Sequence, residues 1–217
     1  MSATRRLLLV PVLTVSALLA SCAGSPSARY YTLQPSAQTT ASSAQRVDYQ
    51  IEVAPVTVPQ QADQPQIMLR SGQGDGALTP MYSDRWSAPL ADEIRSALAD
   101  NLTRTLGALD VQTLTPAPEV PVWRIQVDVQ RFDMIVGGPA RLDATWRVRP
   151  LKVKDARALL CRSVVQLPAD QANVVGSLVQ AQQQAVALLA NTIASAIQSG
   201  GVQATPASQQ VQLLGCA

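Results

Sequence analysis

The sequence predicts an α+β fold: a mostly antiparallel sheet with two long helices packed on one of its faces. Two observations carry that prediction. Two stretches, near residues 87–109 and 171–197, repeat apolar side chains every three or four positions, the spacing of a single buried helical stripe. Between them, successive segments alternate apolar and polar residues, as antiparallel strands with one wet face do. The 217 residues suffice for one domain with its own core. Hydrophobic residues make up 47% and aromatics only 4%, so that core must be built from Val, Leu, Ile and Ala.

In chain order, "MSATRRLLLVPVLTVSALLASC" comes first. Arg5 and Arg6 form a positive leader, and Leu7 to Leu19 is an apolar run too short to cross a bilayer about 30 Å thick as a helix. Ala20 and Ser21 precede Cys22, and Leu19-Ala20-Ser21-Cys22 resembles the lipobox of bacterial lipoproteins, whose cysteine is acylated and becomes the mature N-terminus. The plainer alternative is an ordinary cleaved signal with an incidental cysteine. The arginine pair also suits twin-arginine export, although general secretion is the simpler route. Several acyl chains on Cys22 would anchor the protein to a membrane without spanning it. In lipoproteins of two-membrane bacteria an Asp after the cysteine commonly means inner-membrane retention; here Ala23 points to the periplasmic face of the outer membrane.

Residues 22–29 then read as the lipidated N-terminus and a tether of small residues, 30–199 as one α+β domain, and 200–217 as a C-terminal tail. "RYYTL" is a short strand, followed by the polar loop "QPSAQTTASSAQR". Val47, Tyr49, Ile51 and Val53 share a face of a strand that ends near Pro55 to Pro59. "PQIMLR" is a further strand, and "SGQGDGALTPMYSD" a loop or hairpin tip. The first helix starts near Ser87 as N-cap, with Pro89 in the first turn. Its stripe is Leu90, Ile94, Leu98, Leu102, Leu106 and Leu109, with Asp92, Glu93, Arg95, Asp100 and Arg104 on other faces. Trp123, Ile125, Val127 and Val129 point inward from one strand, and Leu142, Ala144, Trp146 and Val148 from the next; a third runs from about Ala158 to Leu167. The last helix buries Val175, Leu178, Gln182, Val186, Leu189, Ile193 and Ile197, and Gly200-Gly201 stop it. The order is ββ(β)-α-βββ-α.

Composition narrows function. The formal charge is +2, but Arg5 and Arg6 supply it, and from Cys22 onward acids and bases balance. A neutral chain lacks the basic footprint that nucleic acid requires. There is no histidine, which removes Ser-His-Asp and Cys-His catalysis and most zinc sites. Gly72, Gly74 and Gly76 form no phosphate loop, because no Gly-Lys-Ser/Thr helix start follows. No metal, cofactor or catalytic set is expected; the one prosthetic group is lipid on Cys22. Cys161 and Cys216 remain, most simply as a disulfide that pins the tail onto the third meander strand, with free thiols or interchain pairing as the alternatives. Arg85 and Trp86 are either a partner or lipid-headgroup contact, or an anchoring device with Trp86 in the core and Asp84 near the positive helix end. Arg141, Arg147, Arg149, Lys152 and Lys154 make one hairpin face basic, either to meet an acidic partner or simply as a solvated face.

The order of these pieces resembles a known family. Cys22, "YYTL" at 30–33, "IEVAPVTVP" at 51–59, "PQIMLR" at 65–70 and above all "DRWSAPLADEIRSALADNL" at 84–102 look like the ABC-type transport auxiliary lipoproteins, the family of paraquat-inducible protein C. That resemblance implies an outer-membrane lipoprotein serving a transporter of the mammalian-cell-entry (MCE) type. An inner-membrane permease and MCE-domain proteins would bridge the periplasm, and this chain would dock them at the outer membrane. It implies no enzymatic activity. Cys22 matches the lipidated cysteine and Arg85-Trp86 the segment ahead of the helix. Self-association into a ring would match a ring-shaped partner. The competing reading is a lipoprotein that itself carries lipid or lipopolysaccharide in an apolar cavity; an envelope hydrolase is a more distant one.

Overall fold

A computed structural model describes residues 27–34, 46–114, 119–170 and 174–217. The predicted signal segment, Cys22 and the expected helix start at Gln171 lie outside the described residues. The fold is α+β, with eight strands in two sheets and two long helices among the described residues.

The larger sheet has the order β2-β5-β6-β7-β8, formed by Gln50–Val53 (β2), Val122–Met134 (β5), Ala140–Leu151 (β6), Leu159–Leu167 (β7) and Val211–Cys216 (β8). Strands β5 to β8 are antiparallel in sequence order, whereas β2 joins β5 in parallel. The parallel pairing follows from the connection, which passes through a helix before returning, as parallel neighbours require. The smaller sheet has the order β1-β4-β3, from Arg29–Tyr31 (β1), Gln66–Arg70 (β3) and Leu78–Trp86 (β4). Here β3 and β4 form the hairpin whose tip the glycine-rich stretch marks, and β1 adds in parallel along β4.

Helix α1 is Leu90–Leu106 and helix α2 is Val174–Gln198. They pack on each other and on the larger sheet, α2 mainly over β6 and β7. The alternation in β5 and β6 sends Trp123, Ile125, Val127, Leu142, Ala144, Trp146 and Val148 into the core, against Leu98, Leu102, Leu178, Val186, Leu189 and Ile193 of the helices. All three tryptophans are buried; Trp146 Nε1 donates to Ser163 Oγ at 2.8 Å, so its one polar atom is satisfied.

Several expectations need correction. Residues 78–86 form a strand, where a loop or hairpin tip is expected from the sequence, because Asp84 and Trp86 face inward and β1 pairs along them. Residues 211–216 of the tail form β8. Leu109 leaves the helical stripe and is 58% exposed, since Gly107 ends α1 in the left-handed conformation, its N–H returning to the Thr103 carbonyl. Pro89, not Ser87, occupies the N-cap position and makes no side-chain cap. Glu93 is buried, not on a solvent face.

Candidate functional site

The predicted site residues fall into two places in the fold. One is the junction of β1, β4 and the start of α1, immediately after the expected lipid tether. The other is the β7–β8 edge.

At the junction, the register sets Arg29 against Asp84, Tyr30 against Arg85 and Tyr31 against Trp86. Side chains on one face go inward. Trp86 is buried and meets Phe132 edge-on, ring centroids 6.0 Å apart at 74°. Asp84, 2% exposed, is not at a helix end; Arg29 reaches across with Nε 2.8 Å from Oδ1 and a second nitrogen 3.1 Å from Oδ2. Burial first, then the hydrogen bond to Asp84 and its charge, raise the Tyr31 phenol above its ordinary value. The hydrogen bond to Asp84 likewise raises Arg29. Trp86 is thus a core anchor. Arg85 is half-exposed on the opposite face, its Nε donating to the Tyr82 carbonyl at 3.4 Å.

One turn into α1, Glu93 gathers three donors from two segments, Thr32-Leu33 and Ser87. Ser87 Oγ donates to Oε1 at 2.6 Å, Thr32 Oγ1 to Oε2 at 2.7 Å and the Leu33 backbone N–H to Oε2 at 2.8 Å. A carboxylate near a helix N-terminus is favoured by the backbone dipole, and charged acceptors make the stronger hydrogen bonds. Beside it the Ser87 N–H donates to the Tyr31 carbonyl at 2.8 Å, and Gln183 Nε2 of α2 to the Thr32 carbonyl at 2.9 Å. The arrangement is a clamp: a three-residue strand that could not hold itself is fixed to both helices. Sequence reading missed Glu93 and Thr32. A signal was present in Ser87-x-x-x-x-x-Glu93 flanking a proline-started helix, but the partners lie about sixty positions upstream.

At the other place, Cys161 and Cys216 are cross-strand partners with Cα atoms 4.1 Å apart, joined by a disulfide across 55 positions. Beyond it, Leu160 and Ala217 exchange both backbone hydrogen bonds at 2.8 Å. The basic hairpin face is partly neutralised. Arg162 holds Asp143 with both nitrogens, at 3.0 and 2.8 Å, Arg141 lies 3.7 Å from the same carboxylate, and Lys152 pairs with Glu119 at 3.1 Å. The hydrogen bond to Asp143 raises Arg162 above its usual value.

A cavity of about 30 Å³ lies between the β3–β4 hairpin and β5, lined by Met68, Leu78, Phe132 and Met134 with Arg70 and Asp133, room for a water or two. A wider open cleft of about 260 Å³ crosses the outer face of the larger sheet at Thr57, Gln126, Asp128 and Arg147. Among the described residues no group of three or more His, Cys, Asp or Glu could hold a metal ion, and no helix is long and apolar enough to cross a membrane.

Comparison with known proteins places this architecture. No curated protein matches the sequence significantly. A crystal structure of an uncharacterized protein superposes with a TM-score of 0.61 at 16% identity, covering 79% of this chain and 99% of the other. A Xanthomonas campestris protein of the DUF330 family superposes with a TM-score of 0.53 at 19% identity, covering 82% of this chain and 97% of the other. These likenesses show a shared fold. Residues 31–194, from the last residue of β1 to well inside α2, match the model of the ABC-type transport auxiliary lipoprotein component, and the chain belongs to that family.

Proposed function

We propose that this protein is a non-enzymatic adaptor, anchored through lipid on Cys22 to the periplasmic face of the outer membrane, that docks an MCE-type envelope lipid transporter there. The observation that carries the reading is membership of residues 31–194 in the transport auxiliary lipoprotein family, in a chain whose Cys22 closes a lipobox-like segment. The clamp at Glu93 supports it. An anchor is useful to an adaptor only if the chain that bears it is fixed to the domain, and β1 is fixed from both helices. Tethering then raises the local concentration of the domain at its partner's tip without any new contact. An MCE-domain protein and its permease are the proposed partners; a ring of copies of this chain would suit a ring-shaped one.

A carrier with its own acyl cavity is the second reading. The cavity beside Phe132, about 30 Å³, is far smaller than a lipid chain. Open clefts of about 440 Å³ at Pro139 and Leu167 and about 560 Å³ at Tyr49 and Val153 are not, so bound lipid decides between the two readings. Crosslinking in intact cells followed by partner identification tests the proposal. Recovery of an MCE-domain protein is the expected result, and its consistent absence overturns the docking role. Stoichiometric lipid in the purified protein would favour the carrier. In parallel, Cys22→Ser should release the protein from outer-membrane fractions; if it stays, lipidation is not the anchor.

A further inference from the structure

Tyr30 and Tyr82 are among the most exposed large side chains of the described residues, at 65% and 73%. They lie at the same end of the smaller sheet. Tyr30 sits beside Arg85 in the β1–β4 register, and Arg85 reaches back to the Tyr82 carbonyl. Tyr82 lies in the stretch 82–84 that has no partners on β3, where the β3–β4 pairing jumps from Ile67–Met81 to Gln66–Arg85. Two amphipathic rings around arginine is the composition found where protein meets lipid headgroups: the ring sits at the boundary and the guanidinium meets phosphate.

The length of chain ahead of β1 supplies an independent argument. Cys22 precedes Arg29 by seven residues. Even fully extended at about 3.3–3.6 Å per residue, that tether reaches about 25 Å, less than a bilayer's full thickness. The clamp stops β1 from peeling away to lengthen it. The end of the domain that carries β1 is therefore the end held at the membrane.

We propose that the Tyr30–Arg85–Tyr82 face rests on the membrane that holds the Cys22 acyl chains, with both tyrosine rings in the headgroup layer and Arg85 against lipid phosphate. The proposal rests on the lipid-anchoring reading above. It fixes which way the domain stands: the smaller sheet lies against the lipid, and the β7–β8 edge, across the larger sheet, stands away from it.

The test places a benzoylphenylalanine photocrosslinker at position 30, 82 or 214, one at a time, in the full-length lipidated protein reconstituted in phosphatidylethanolamine–phosphatidylglycerol vesicles. Leu214, 50% exposed on β8, is the control on the far edge. All three positions are exposed, so folding is preserved. Lipid adducts at positions 30 and 82 several-fold above position 214 are expected. Equal yields from membrane-bound protein overturn the orientation and leave the anchor standing. Wild-type protein that does not partition with vesicles overturns the anchor and this proposal with it. In intact cells, adducts at 30 and 82 to protein instead of lipid would reassign the face to a protein partner and overturn the proposal.

Discussion

Removing the Glu93 carboxylate with Glu93→Ala is the most direct test of the clamp. Three donors converge on it, but their losses are unequal. Thr32 and Ser87 are exposed, so their hydroxyls return to water at little cost. The Leu33 N–H cannot: Leu33 is fully buried, and its 2.8 Å bond to Glu93 has no substitute nearby. An orphaned buried N–H costs about 1–3 kcal/mol, and a hydrogen bond to a charged group contributes about 1.5–3. These overlap, since one is largely the other's loss, so about 2–4 kcal/mol is expected in all. For a chain of this size about 1 kcal/mol shifts Tm by roughly 2–4 °C, so Tm should fall by about 6–12 °C for a loss near 3 kcal/mol. Glu93→Gln separates shape from charge. Its carbonyl oxygen can still accept from Leu33, and Ser87 Oγ can turn to accept from the new amide, so the loss should shrink to about 1 kcal/mol. Denaturant unfolding followed by circular dichroism gives both values. Hydrogen exchange at the Leu33 amide should accelerate in Glu93→Ala. A change below about 0.5 kcal/mol, the range of ordinary surface substitutions, together with unchanged exchange, would refute the clamp.

Three further outcomes are expected. Cys161→Ser with Cys216→Ser should lower stability by about 4 kcal/mol in the chain-entropy account of a 55-position loop, read as the gap between the unfolding curves of the oxidised wild type and the variant, and equal curves would count against the bridge. Gly201→Ala should destabilise by several kcal/mol, because Gly201 has φ +78° and a Cβ would lie 1.8 Å from the Arg157 carbonyl oxygen; Gly74→Ala shares the positive φ but meets nothing, so it should cost only about 1 kcal/mol. A raised phenol pKa at Tyr31 means its contribution is complete below the ordinary tyrosine value near 10 and is lost as pH climbs through the higher folded value, so the stability gap between wild type and Tyr31→Phe should narrow above pH 10 in alkaline unfolding; a constant gap would show that burial and the nearby Asp84 charge do not hold the phenol neutral.

What could be read from the sequence followed from how many faces each element buries. Strands β5, β6 and β7 bury one face each, so their side chains alternate visibly, and α1 and α2 each bury a stripe. Strand β4 was hidden because its inward residues include Asp84, an acid that reads as solvent-facing until Arg29 is known to lie across from it, and because Pro80 and the jump at 82–84 interrupt its pattern. Strand β8 is exposed along most of its length, so only Cys216 marked it. Glu93 could not be separated from Asp92 by sequence, since both suit a first helical turn; only the fold brings Thr32 and Leu33 to one of them.

The placement of the clamp bears on why the conspicuous Arg85-Trp86 pair precedes a helix. The two side chains point opposite ways, so they serve different ends. Trp86 packs into the core against Phe132 of the larger sheet and ties the smaller sheet to it. Arg85 stays half-exposed beside Tyr30. On the proposed anchoring at Cys22, a pull would arrive at β1 and from there divide between Asp84 and Trp86 on β4, Glu93 on α1 and Gln183 on α2. A strand of three residues with one ladder neighbour would fray under such a pull by itself. Four attachments to three different elements hold it where one ladder neighbour would not. Under that proposal the anchor would constrain the orientation of the whole domain and not only its distance from the membrane, as docking a partner from a defined direction requires.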